Sequence, residues 1–125
     1  MQRLRKRQDF LRVRDGRKAN AATLTLQARA RPEPVGEAAA GFTVTKKNGG
    51  AVERNRIRRR LREALRRIGA LHGREGYDYV VVGRQSALDA PFATILNDLT
   101  TAFGRVHSDR SGGRGARRPA DEAAP

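Results

Sequence analysis

The 125-residue sequence predicts a small α/β two-layer sandwich, with helices laid on a mixed β-sheet. Three observations predict it. Residues 23–29 and 41–45 alternate apolar and polar side chains with period two, as half-buried strands do. Residues 77–82 (YDYVVV) form a short, strongly apolar run suited to the middle of a sheet. Two later segments, beginning near residues 51 and 90, repeat apolar residues at helical spacing.

Residues 9–14 form a candidate short helix. Asp9 can cap it, Phe10, Leu11 and Val13 give it an apolar side, and Gly16 ends it. A short extra strand is placed near residues 19–22. In the strand at 23–29, Leu24, Leu26 and Ala28 face one way and Thr23, Thr25 and Gln27 the other. Residues 31–39 hold two prolines and a glycine and read as a loop. Residues 41–45 set Phe42 and Val44 opposite Thr43 and Thr45, and Lys47-Asn48-Gly49-Gly50 breaks that strand.

A long helix is expected over residues 51–71. Ile57, Leu61, Ala64, Leu65, Ile68 and Leu71 fall within about 120° of a helical wheel, with Arg58, Arg59, Arg62 and Arg66 on the far side. His72 to Gly76 ends it. After the strand at 77–82, Asp89 is expected to cap a last helix with Pro91 in its first turn. Phe92, Ile95, Leu96, Leu99, Phe103 and Val106 would be its buried stripe. The order is therefore α-β-β-β-α-β-α. It divides the chain into a folded domain, residues 1–107, and a tail, 108–125, that has no large apolar residue and is expected to be disordered.

Charge is unevenly spread. There are 27 Lys and Arg against 13 Asp and Glu, a net charge of +14. Residues 1–18 carry eight basic and two acidic residues, and residues 46–67 carry ten and two; the other 85 residues carry nine of each. Two concentrated blocks describe a footprint for a polyanion rather than a uniformly basic surface. There is no cysteine, which excludes a disulfide scaffold and thiolate metal sites. No apolar run approaches the roughly 18 residues of a membrane helix, and no apolar stretch follows the basic start as in a secretory signal. The expectation is a soluble, cytoplasmic protein with no membrane partner.

Enzyme constellations are missing from the sequence. The only histidines, His72 and His107, fall near predicted helix ends and read as ordinary surface or capping residues. The carboxylates are scattered, and the glycine-rich patterns of nucleotide-binding loops do not occur. By contrast, residues 45–67 read TKKNGGAVERNRIRRRLREALRR, with eight arginines and only Glu53 and Glu63 to neutralise them. Like charges at Arg58, Arg62 and Arg66 weaken an isolated helix. A rigid face of guanidinium groups suits a nucleic-acid backbone.

The order of residues in this block is more specific than its charge. Lys46, Lys47, Gly49, Ala51, Val52, Arg54, Asn55, Arg56, Arg58 and Arg59 resemble the signature of the protein subunit of bacterial ribonuclease P. The resemblance extends to Arg3-Leu4-Arg5-Lys6 with Asp9-Phe10, to residues 41–45 and to residues 77–81, covering about 105 residues in the family's order. It implies a ribosomal protein S5 domain 2-like sheet with a left-handed crossover between the strands at 41–45 and 77–82, where the general rule is right-handed. It also implies that a catalytic RNA, with Mg²⁺ held mainly by that RNA, removes the 5′ leader of precursor tRNA. The protein then binds both RNAs, one protein to one catalytic RNA.

By the same resemblance, Lys46, Lys47, Arg54, Asn55, Arg56, Arg58, Arg59 and Arg62 contact RNA. Phe10, Arg14, Phe42 and Val44 line a leader-binding cleft between the first helix and the sheet, with Phe10 and Phe42 as candidate stacking residues. Arg14 and Leu26 stand where the family often has aromatics, which implies weaker stacking. The competing readings are a ribosomal-type structural RNA-binding protein without a role in cleavage, a sequence-independent DNA-binding protein and a protein nuclease. Composition does not separate them; the residue order does.

Overall fold

The computed structural model describes residues 1–108, and the expected tail from residue 109 onward lies outside the described residues. The elements run β1 (Gln2–Arg3), α1 (Arg7–Arg14), β2 (Arg17–Asn20), β3 (Leu24–Ala30), β4 (Ala39–Thr43), α2 (Ala51–His72), β5 (Tyr77–Gly83) and α3 (Phe92–Val106). The predicted order is present, preceded by one strand the sequence did not suggest. β1 has only two residues, too few for any periodicity to register.

The sheet order is β1-β4-β5-β3-β2, so the apolar YDYVVV segment is the central strand, as its composition implies. The sheet is mixed. β4 runs parallel to β1 and β5, whereas β3 is antiparallel to β5 and β2. β4 and β5 are neighbours joined by α2, which makes the crossover.

The two faces of the sheet are covered unequally. On one, α2 and α3 enclose the main core, with Leu24, Leu26, Tyr79, Val81, Ile57, Leu61, Ile95, Leu99 and Phe103 all almost fully buried. On the other, α1 alone packs over a smaller cluster of Leu4, Val13, Ala39 and Val80, with Phe10 and Val82 half-buried at its edge. Gly41 is required here. A Cβ on it would run into the Phe10 ring and Leu4.

Several boundaries differ from the expectations. Lys6, not Asp9, precedes α1, and Asp9 lies in its first turn, where a carboxylate suits the helix dipole. Pro91 occupies the N-cap position of α3 and Asp89 ends a preceding 3₁₀ turn, because that turn takes up residues 85–88. Leu71, placed on the buried arc of α2, is 80% exposed. The arc continues from Leu65 and Ile68 to His72, which stacks on Phe103 with ring centroids 6.0 Å apart.

Candidate nucleic-acid interface

α2 begins where β4 ends. A 3₁₀ turn (Lys46–Asn48) follows the strand, and Gly49 adopts φ 125°, a conformation that side-chain-bearing residues rarely take. The Asn48 side-chain amide donates to Thr45 Oγ1 (3.2 Å) and to the Gly83 carbonyl (3.3 Å), tying this turn to the end of β5. The Gly50 N–H donates to Glu53 Oε1 at 2.9 Å, so Glu53 caps the helix.

The arginines of α2 divide into two groups. Arg60 is structural: its guanidinium donates to the carbonyls of Ala87 (2.6 Å), Leu88 (3.1 Å) and Ala90 (2.6 Å), fastening α2 to the chain entering α3. Arg66 and Arg67 both bind Glu63, and their hydrogen bonds hold its carboxyl down at about 2. Arg67 also lies over the Phe92 ring, 4.8 Å from its centroid. The other group contains the residues singled out from the sequence. Arg58 donates to Asn55 Oδ1 (2.7 Å) and Arg54 reaches back to the Gly50 carbonyl (3.4 Å). Lys46, Lys47, Arg56 and Arg59 have no ion pair or side-chain hydrogen bond among the described residues. Among the described residues, Arg62 meets only the Phe42 ring, at 5.7 Å.

The cleft residues are not brought together. Phe42 and Val44 point to the α2 side of the sheet, where Val44 is buried in the main core and Phe42 packs at its margin. Phe10 lies on the opposite face. The alternation expected along this strand, with Phe42 opposite Thr43, is present. The side covered by α1 depends on pairing between strands distant in sequence, which a single strand does not encode. Arg14 is exposed, one helical turn beyond Phe10. Leu26 is fully buried in the main core, so it does not line the α1 side either.

The register identifies the residues that do share Phe10's face. Thr43, Val82, Thr25 and Asn20 form one row across β4, β5, β3 and β2, and Gly41, Val80, Gln27 and Lys18 form the next. α1 covers the second row and the one beyond it. Phe10 sits on Gly41, and Arg12 on α1 binds Asp78 at 2.5 Å. Asp78 is 3% exposed and is held from its other side by Arg31 at 3.0 Å. Arg31 also donates to the Val35 and Glu37 carbonyls, so one buried carboxylate fixes both α1 and the loop before β4. The first row is left largely open: Thr43 and Val82 are half-buried and Asn20 is exposed.

Away from both surfaces, His107 is not the ordinary helix-end residue expected. Its Nε2 lies 2.6 Å from the Tyr79 hydroxyl, which also accepts the Arg74 N–H at 2.8 Å. With that N–H donated to it, the hydroxyl donates its own proton to a neutral ring. Burial, then the positive charges of Arg74 and Arg17, push His107 down to about 4. Burial raises Tyr79 to about 12. Among the described residues no group of three His, Cys, Asp or Glu is placed to hold a metal ion, and no helix is long and apolar enough to cross a membrane.

The family model described as Ribonuclease P matches residues 1–107. The chain belongs to the ribonuclease P protein family. The ribonuclease P protein component of Brucella suis is 45% identical over 119 residues, covering 90% of this chain and 84% of the relative. That of Bartonella quintana is 47% identical over 104 residues, covering 78% and 77%. Among solved structures, the RNase P protein of Thermotoga maritima superposes with a TM-score of 0.71 at 26% identity, covering 86% of this chain and all of the other. The Staphylococcus aureus RNase P protein gives 0.70 at 27%, covering 86% and 96%. The family resemblance read from residues 46–59 is therefore carried by nearly the whole described fold.

Proposed function

We propose that this chain is the protein subunit of a ribonuclease P ribonucleoprotein in the cytoplasm, one protein to one catalytic RNA, and assists tRNA processing there. The turn before α2 (Lys46 and Lys47) and the exposed face of α2 (Arg54, Asn55, Arg56, Arg58, Arg59 and Arg62) bind the catalytic RNA and nearby substrate. The α1 side of the sheet takes the single-stranded 5′ leader of precursor tRNA. The observation that carries this reading is the set of cations at Lys46, Lys47, Arg56 and Arg59, left without anionic partners among the described residues, on α2 and the turn before it, while Arg60, Arg66 and Arg67 are bonded within the fold.

On this reading the protein supplies positioning and charge rather than the cutting group. Guanidinium and ammonium groups screen the repulsion between two polyanions and so lower the Mg²⁺ concentration the pair requires. The Mg²⁺ is held mainly by the RNA, which performs the hydrolysis at the leader junction. The purified chain is to be mixed with a bacterial ribonuclease P RNA and a precursor tRNA at low Mg²⁺. Cleavage requiring both components is the expected result. Cleavage by the protein alone would make it a nuclease, and absence of any effect would leave only a structural RNA-binding role.

A further inference from the structure

The chain's only two histidines, distant in sequence, meet at one hollow. It lies where α2 and α3 end, on the side of the sheet away from α1 and a helix length from Lys46 and Lys47. Its volume is about 280 Å³, and Leu71, His72, Arg74, Phe103, Gly104 and His107 line it. None of these residues belongs to the basic face of α2 or to the α1 side of the sheet.

The lining combines unused donors with apolar surface. Phe103 is 1% exposed and forms the floor, His72 stacks on it, and Leu71 stands exposed at the rim. The Arg74 backbone N–H donates to Tyr79, but its exposed guanidinium has no hydrogen bond or ion pair among the described residues. His107 is neutral at pH 7 and takes the Tyr79 hydroxyl proton on Nε2, so its own proton sits on Nδ1, which has no partner among the described residues. His72 is held only by its ring contact. No carboxylate lines the hollow. Guanidinium and imidazole N–H groups converging beside an aromatic floor suit an anion that carries an apolar body, and the guanidinium fork matches phosphate oxygens in particular.

Gly104 adds a second observation. It lies in the last turn of α3 and is exposed, and a Cβ built on it meets nothing within 4 Å. Packing therefore does not require glycine there, while glycine weakens a helix relative to alanine. What the missing side chain does is leave the hollow open.

We infer that the hollow between the ends of α2 and α3 is an accessory site for a phosphate monoester on a planar body, of the nucleoside monophosphate class. Arg74 binds the phosphate, the His72 and His107 rings donate to it, and Leu71 and Phe103 take the apolar part. The site is independent of the RNA-binding reading above.

The test titrates the full ¹⁵N-labelled chain at pH 7 with adenosine monophosphate, following the imidazole resonances. Both histidines lie at the hollow, so these signals report on it and not on phosphate gathered by the arginines of α2. Adenosine monophosphate should move both ring signals saturably. Arg74→Ala should weaken that binding roughly tenfold, since it removes the charged fork. Gly104→Leu, which fills open space, should abolish the shift without lowering the melting temperature. Arg56→Ala should leave the titration unchanged. Ring signals that do not move, or that move equally in the Arg74→Ala and Gly104→Leu variants, overturn the site. Equal shifts with inorganic phosphate or with adenosine alone overturn the nucleotide class. Equally tight binding of an adenylyl dinucleotide that has only an internal diester overturns the monoester and makes an RNA strand the source of the phosphate.

Discussion

Phe10 and Phe42 lie on opposite faces of the same sheet. Phe10 rests on Gly41 beneath α1, while the next residue along β4, Phe42, points to α2 and meets Arg62. Two aromatics that look like a stacking pair in the sequence are separated by the thickness of a strand.

Their substitutions should therefore behave differently. Phe10→Leu keeps apolar volume but removes the ring plane, and should weaken leader-dependent binding about tenfold with a small change in melting temperature. Phe42→Ala should leave the leader's contribution intact and lower stability by about 2 kcal/mol through lost packing. Fluorescence anisotropy and thermal melting on the same samples separate the two, and a leader defect in Phe42→Ala would show that the faces are wrongly assigned.

The arginines of α2 should also separate. Arg56→Ala and Arg59→Ala are each expected to reduce the slope of log affinity against log salt for the catalytic RNA by about one. Arg60→Ala should leave that slope alone and cost about 1–3 kcal/mol in a urea titration, since three carbonyls lose their donor. Equal slopes for all three variants would contradict the division.

Asp78→Ala leaves Arg12 and Arg31 facing an empty site at the base of α1. The expected cost is about 3 kcal/mol, visible as a lower urea midpoint. Leader binding should fall with it, because α1 carries Phe10. A variant as stable as the parent would show that other contacts hold the helix.

His107 should make stability depend on acid. Its folded-state value, about 4, lies below the ordinary 6.5, so the folded protein favours the neutral ring. This contribution is complete above pH 6.5 and is lost as pH falls from 6.5 toward 4. His107→Gln should narrow the difference between urea midpoints at pH 7 and pH 4.5. An unchanged difference would remove His107 as its source.

How much of this could be read in the sequence depended on the range of the interactions. The strands at 23–29 and 77–82 and the three helices are written in local periodicity, and all are present with boundaries moved by a few residues. β1 is a two-residue strand recruited by β4, whose partners Ala39 and Ala40 lie 37 residues away, and nothing local marks it. The basic face of α2 was legible because residue type alone places charge on the outer side of a helix. That Arg60 is committed to three carbonyls beyond β5 was not, since its partners lie about 30 residues later. The placing of Phe42 and Val44 beside Phe10 misses for the same reason: alternation sets Gln27 and Thr25 apart from Leu26, but only pairing between strands reveals that Phe10 joins them.

The open row and the packed face of the sheet differ in how much substitution they tolerate. Thr43, Val82, Asn20 and Gln27 stand on the sheet's lightly covered face, outside the main core. Replacing them alters what a bound strand would meet without forcing Leu24, Leu26, Tyr79 or Val81 to repack. Substitutions in this row should therefore cost the fold little, whereas substitutions on the opposite face would disturb its packed core.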